Sequence, residues 1–232
     1  MIIMNWLINN KRNLLHYNMA FIGGLTGAYA ILVRSGNFGA AQTMNLIEMV
    51  LDFADLKLID AIIRFGIFIG YGVAIVAAYL IPLKFPKYKY YIALAFEALC
   101  VMIAGLLPIS VNPLIALLPV FILNAYQWQT FTDPECYNSS TIFSTNNYKQ
   151  TLLSWTKYIK DGDIAQKKRA LLFTITLVSF HAGVLVGYYS VKFLAVKGIW
   201  ITFVPVVTAL VLVSPVFEYE IETSVSTEKA AN

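Results

Sequence analysis

Six runs of apolar residues punctuate the chain, at 14–33, 61–81, 91–107, 114–131, 170–191 and 198–216. A helix needs about 20 apolar residues to cross the hydrocarbon of a bilayer. In lipid the backbone must satisfy its own hydrogen bonds, so a spanning run reads as a helix, or as a strand of a closed barrel. None of these runs shows the strict alternation of a barrel strand. The pattern therefore predicts an all-α integral membrane protein with six spans. Proline punctuates it: Pro82 and Pro108 end the second and third spans, Pro119 and Pro205 sit inside the fourth and sixth, and the sixth ends near Pro215.

Two stretches, 38–55 and 138–160, are neither spans nor ordinary loops. The first is helix-like, with Gln42, Asn45 and Asp52 on one side and Met44, Ile47 and Leu51 on another. The second is wetter and ends in Lys160-Asp161-Gly162-Asp163. Each follows the first span of a half-chain, and two more spans follow each. Three spans is an odd number, so the second half runs inverted relative to the first. This gives two inverted three-helix repeats, at 14–107 and 114–215, each with a polar half-helix after its first span, in a single transmembrane domain covering 1–217. Inverted repeats of this kind build transporters, with binding sites where helices break near the midplane. Two amphipathic helices lying flat on opposite membrane surfaces fit the same pattern equally well.

Composition agrees with the pattern. Residues are 59% hydrophobic and only 13% charged, against about 25% charged in soluble domains, and the mean hydropathy is +0.67. Charge distribution gives orientation, because cytoplasmic loops carry the excess of Lys and Arg. With a cytoplasmic N-terminus, 12 of the 17 Lys and Arg residues fall inside, chiefly in the 84–89 and 149–169 stretches. Arg34, Lys57, Arg64, Lys192 and Lys197 fall outside. Both termini are then cytoplasmic, and the net charge of +4 speaks for orientation rather than for nucleic-acid binding. The polar tail 218–232 is expected to be disordered. The 14–33 run is a full span long with no small-residue cleavage signal after it, so it reads as an uncleaved first helix. Cys100 in an apolar run and Cys136 in a polar loop are not expected to pair. Glycines four apart, at Gly23/Gly27, Gly66/Gly70 and Gly183/Gly187, let helices approach closely. Packing within the monomer is the favoured use, and a homodimer seam the alternative.

Three short segments carry a resemblance. Phe21-Ile22-Gly23-Gly24, Ser35-Gly36-Asn37-Phe38 and Ala41-Gln42-Thr43-Met44-Asn45 resemble the YoaK-type family of six-helix bacterial membrane proteins, whose function is unassigned. The second half is similar as well. Gln127-Trp128-Gln129-Thr130-Phe131 looks like the family's Gln-x-Gln-x-Phe element, and Thr141 with Thr145-Asn146-Asn147 looks like its Thr-rich segment. The resemblance covers roughly residues 14–215 and implies a bacterial inner-membrane location. Met44 and Asn146 stand where the family has the glycine of Thr-Gly-Asn, and Gly27 stands where its first helix often carries an acid. These departures remove the easiest backbone approach to a ligand and a plausible cation or proton site.

No phosphate-binding loop, dinucleotide fingerprint, His-Glu-x-x-His or Cys-x-x-Cys occurs. The expectation is a non-enzyme with no metal and no cofactor. Gln42, Thr43 and Asn45, with Thr141, Thr145 and Asn147, are the candidate ligand contacts, because amides and hydroxyls donate and accept without burying charge. Gln127 and Gln129 could join them, but two residues apart on a helix they cannot face one way. Helix capping and interhelical bonding are the competing use of such groups. Glu97 and His181 are ionisable residues within spans and so are candidates for proton coupling. Glu97 could instead meet Lys84, Lys87 or Lys89, and His181 a backbone carbonyl. The function expected is a transporter or exporter of a small polar or amphipathic solute, bound near the midplane between the two half-helices. The alternative is a non-transporting scaffold or sensor.

Overall fold

The computed structural model describes residues 2–34, 36–37, 39–40, 42–131 and 137–214, with side chains from Asn10 onward. Among them the secondary structure is helical throughout. The helices are α1 (Ile2–Val33), α2 (Gln42–Ala54), α3 (Leu58–Lys84), α4 (Lys89–Leu106), α5 (Pro113–Thr130), α6 (Thr145–Asp161), α7 (Ile164–Leu194) and α8 (Phe203–Leu212). A 3-10 turn (Pro86–Tyr88) precedes α4, and a longer 3-10 segment (Ala195–Thr202) joins α7 to α8.

Every one of the six apolar runs is helical, with shifted boundaries. α1 begins well before residue 14, and α3 continues through Pro82 to Lys84. Near a helix C-terminus a proline disrupts few bonds, so its breaking power fades there. The expected fifth and sixth spans have no loop between them: the chain reverses at Ala195, which takes φ 50°, and Ser190 Oγ donates to Gly198 O across the break. Cys100 is buried and free, whereas Cys136, Pro215 and the 218–232 tail lie outside the described residues.

Among the described residues three helical stretches are long and apolar enough to cross a membrane: Leu58–Lys84, Pro86–Leu106 and Ile164–Leu212, the last containing the reversal at Ala195. α1 and α5 fall short for a physical reason. They occupy the centre, where neighbouring helices cover them. In α1 every residue from Ile22 to Ala30 is buried, and in α5 Leu117, Val120, Phe121, Asn124 and Ala125 are fully inaccessible. Such positions can hold Thr26, Asn124 and Gln127, and Thr26 Oγ1 lies 3.4 Å from Asn124 Oδ1.

The packing follows from this arrangement. α7 lies along α1 and α3 along α5, while α4 rests on α5 and α8 on α1. The apolar core is shared by α1, α3, α4, α5 and α8, from Tyr29, Tyr71 and Phe121 at one end to Met19, Leu94 and Val206 at the other. The α1–α7 crossing is the tightest contact. A Cβ on Gly24 would collide with the Phe180 carbonyl oxygen of α7, and one on Gly183 with the Phe21 carbonyl oxygen of α1. Only residues without a side chain allow backbones this close. At the end of α1, Arg34 is fully buried and donates to the carbonyls of Leu107 (2.7 Å) and Pro108 (3.0 Å) beyond α4. Burying a cation costs several kcal/mol. Charge-assisted bonds worth about 1.5–3 kcal/mol each and the negative end of the α4 dipole offset much of that.

Candidate functional site

The two amphipathic helices fold back onto the span that follows each. In α2, residues three and four apart share a face, and Asn45, Glu48 and Asp52 sit on the side turned to α3. Arg64, in the second turn of α3, meets all three: Nε donates to Asp52 Oδ2 (2.8 Å), Nη1 to Asn45 Oδ1 (3.2 Å), and Nη1 lies 2.5 Å from Glu48 Oε2. This pairing explains how a cation is tolerated inside an apolar run. The opposite face of α2 presents Met44, Ile47, Val50 and Leu51 outward. α6 repeats the arrangement with an uncharged partner for the cation: Arg169, in the second turn of α7, donates to Gln150 Oε1 (2.9 Å), and Trp155 Nε1 to Thr174 Oγ1 (3.0 Å).

The segment before α6 is irregular. Helix begins only at Thr145, so Thr141 lies in the loop rather than in a half-helix. Asn147 reaches back from α6 and holds the Ser140 peptide at both ends, donating to its carbonyl (2.7 Å) and accepting from its N–H (3.0 Å). Thr141 Oγ1 accepts from Gln127 Nε2 (3.0 Å), which also donates to Met19 O (2.8 Å). His16 Nε2 lies 3.0 Å from Ser139 Oγ. Asn45, Asn147, Thr141 and Gln127 are thus all engaged in internal bonds that fasten elements together. Gln129 is half-buried on the other side of α5.

The remaining candidates converge elsewhere. A cavity of about 540 Å³ is lined by Gln42 and Thr43 from the start of α2 and by Ser144 and Thr145 at the start of α6. Tyr71 of α3, Trp128 of α5, Phe143 and Phe180 of α7 complete it. The geometry thus brings Gln42, Thr43 and Thr145 of the sequence candidates to one place. Asn45, Gln127, Gln129, Thr141 and Asn147 are not among its lining residues. Three lining residues carry buried polar atoms without a partner: both amide atoms of Gln42, the Tyr71 hydroxyl and the Ser144 hydroxyl. Tyr71 is only 4% exposed. α6 has no side-chain cap, so amides of its first turn are also available at this edge. Unpaired buried polar groups cost about 1–3 kcal/mol each, and these belong to residues lining the cavity while being themselves closed off from it, so side-chain rotation is needed to bring them to its surface. A shallower groove of about 570 Å³ lies on the far side of Ser144 and Thr145, bounded by Tyr148, Leu177, Val178 and His181.

Sequence reasoning passed over Tyr71, Trp128, Phe143, Ser144 and Phe180. Each looked like an ordinary core or interfacial residue, and only the fold brings them together. The available signals were Phe143-Ser144 inside the Thr-rich segment and Trp128 inside the Gln-x-Gln-x-Phe element.

Glu97 and His181 are not joined by any bond or ion pair. Glu97 is 2% exposed on α4 with one carboxylate oxygen unbonded. It takes no part in the ion pairs among the described residues, which involve Lys57 and Arg64. Lys84 and Lys89 lie over the rings of Phe85 and Tyr90 instead. His181 is exposed on α7, its Nδ1 2.8 Å from Leu177 O.

A helical protein with three membrane-length apolar helices and a neutral, aromatic-walled cavity is the class that the fold defines. Within it, the chain belongs to the family described as "Protein of unknown function (DUF1275)", whose model matches residues 15–213. This is the family to which the YoaK-type resemblance pointed. No curated protein and no solved structure matches the chain.

Proposed function

We propose that this protein is a six-span transporter or exporter of a small polar or amphipathic solute in the bacterial inner membrane, with both termini cytoplasmic. Its halves are two inverted repeats, and its solute site is the cavity between the starts of α2 and α6. The observation that carries the reading is the set of unpartnered polar groups of Gln42, Tyr71 and Ser144 around one aromatic-walled space. The repeat reading is supported by the exchange of packing partners. Mapping α1 to α5, α2 to α6, α3 to α7 and α4 to α8 turns the α1–α7 contact into α5–α3 and the α4–α5 contact into α8–α1. It also turns the Arg64 latch into the Arg169 latch. Such a pair of halves rocking about a fixed site is a transporter architecture.

The experiment is ligand-induced thermal stabilisation of the purified protein in nanodiscs, followed by solute flux in proteoliposomes. A solute stabilises the state that binds it. The expected result is stabilisation by a subset of small neutral solutes, lost in Ser144→Trp, which fills the cavity, together with flux of those solutes. Stabilisation that survives Ser144→Trp places the site elsewhere. The close packing around Thr26 and Asn124 favours a second reading, a sensor that binds without passing solute, and stabilisation without flux would establish it.

A further inference from the structure

The side chains lining the cavity carry no formal charge: one amide, three aliphatic hydroxyls, one phenol, two phenyl rings and the Trp128 indole. An ion entering would shed water without meeting a counter-charge. The polar groups are few, Gln42, Thr43, Ser144 and Thr145 at the starts of two helices and the Tyr71 hydroxyl midway along α3, and the walls are flat rings. Trp128 and Phe143 meet edge to face at 5.1 Å between centroids, which sets the angle of that wall. Aromatic faces accept a planar ring in offset-stacked or edge-on contact. The Gln42 amide carries an unbonded donor and an unbonded acceptor side by side; both are closed off in this structure, and rotation of the side chain, which lines the cavity, brings them to its surface. That edge pairs in two-point fashion with any group presenting an acceptor next to a donor: a lactam, a carboxamide, a urea or the amide-like edge of a nucleobase. The Tyr71 and Ser144 hydroxyls supply further bonds at the periphery of such a ring.

We infer that the solute is a neutral planar ring compound bearing a lactam or carboxamide edge, and that Gln42 is the residue that selects it. The inference rests on the reading of this cavity as the solute site and adds the chemistry of what enters it. The half-buried position of Gln42 in the first turn of α2 makes it a selector that can be changed without opening the core.

The test uses 2-quinolone, N-methyl-2-quinolone, quinoline-2-carboxylate and naphthalene as probes of full-length protein in nanodiscs, read by calorimetry. Methylation removes the lactam donor, the carboxylate adds charge, and naphthalene keeps only the ring. The expected result is 2-quinolone binding at least about tenfold tighter than the methylated and charged probes, as for a site that hydrogen-bonds its ligand. Gln42→Leu should erase that preference while leaving naphthalene binding within about twofold, since apolar contact scales with buried area. Gln42→Glu, which keeps the side-chain shape, should also lose 2-quinolone. Equal binding of 2-quinolone and its methyl derivative, a preference that survives Gln42→Leu, or tightest binding of the carboxylate would each overturn the inference while leaving the cavity a solute site. If no probe binds, or binding persists in Ser144→Trp, the cavity reading falls with it. A Gln42-dependent preference without flux in proteoliposomes upholds the inference and defeats transport.

Discussion

Single residues in this protein divide into those that hold helices together and those left open, and substitutions separate the two. Gly183 and Gly66 stand in the same spacing pattern, yet a Cβ on Gly183 meets the Phe21 carbonyl oxygen and one on Gly66 meets nothing within 4 Å. Gly183→Leu should therefore force α1 and α7 apart and cost upward of about 3 kcal/mol, read as a fall in the thermal midpoint in detergent. Gly66→Leu should be neutral or gain up to about 1 kcal/mol of helix propensity. The glycine spacing was legible in the sequence, but which pair is buried was not, because spacing marks a face without naming what covers it. If Gly66→Leu leaves the midpoint intact and abolishes cross-linked dimer, its face is the seam of a homodimer. Asn147 shows the same limit. Its polarity drew it into the candidate ligand set, but its amide is committed to the Ser140 peptide. Asn147→Leu should leave that buried peptide unpaired and destabilise by about 2–4 kcal/mol, whereas Gln42→Leu should leave the midpoint nearly unchanged. Unfolding curves of the two variants that coincide would refute the distinction.

At the scale of elements, the apolar runs were readable as helices, while by length and composition only three stretches among the described residues are able to cross a membrane. The amphipathic helices were readable as helices too, and the face carrying Asn45 and Asp52 was seen from the 3.6 period. What those faces turn toward was hidden, since Arg64 is distant along the chain and counted only as a charge for orientation. It fastens α2 through one amide and two carboxylates: the Arg64 and Asp52 side chains are 11% and 16% exposed, and Glu48 is 30% exposed. Arg64→Met should leave Glu48 and Asp52 without their shared cation and loosen α2 by about 1–3 kcal/mol, below the cost for a fully buried pair. Hydrogen exchange of amides in α2 should then accelerate while those of α5 keep their protection. Unchanged exchange in α2 would mean that its apolar face, not the latch, holds it. Because Gln42 and Thr43 ride on this helix, the same variant should weaken solute binding without touching the cavity.

For the whole molecule, the charge pattern and the packing make one joint prediction about which side of the membrane each turn occupies. A pair of repeats can be related by an axis along the membrane normal or by one in its plane. The first would put the α2–α3 turn and the α6–α7 turn on the same side, and the second puts them on opposite sides. The residues favour opposition. The α2–α3 region holds two basic residues, Lys57 and Arg64, while the α6–α7 region holds five, Lys157, Lys160, Lys167, Lys168 and Arg169. Positive residues gather on the cytoplasmic side, so the two turns differ in the sense that inversion requires. The contacts α1–α5 and α4–α8 map onto themselves under the exchange of halves, as expected for a two-fold of either orientation, so the choice between the two rests on the charges. Single-cysteine variants on a background without Cys100 and Cys136 decide the matter, probed with a membrane-impermeant maleimide on intact cells. Lys57→Cys should label from outside, and Asp161→Cys and Lys87→Cys only after the membrane is opened. Labelling of Lys57→Cys and Asp161→Cys from one side would exclude an inverted pair, and labelling of Lys87→Cys from outside would reverse the orientation of the protein.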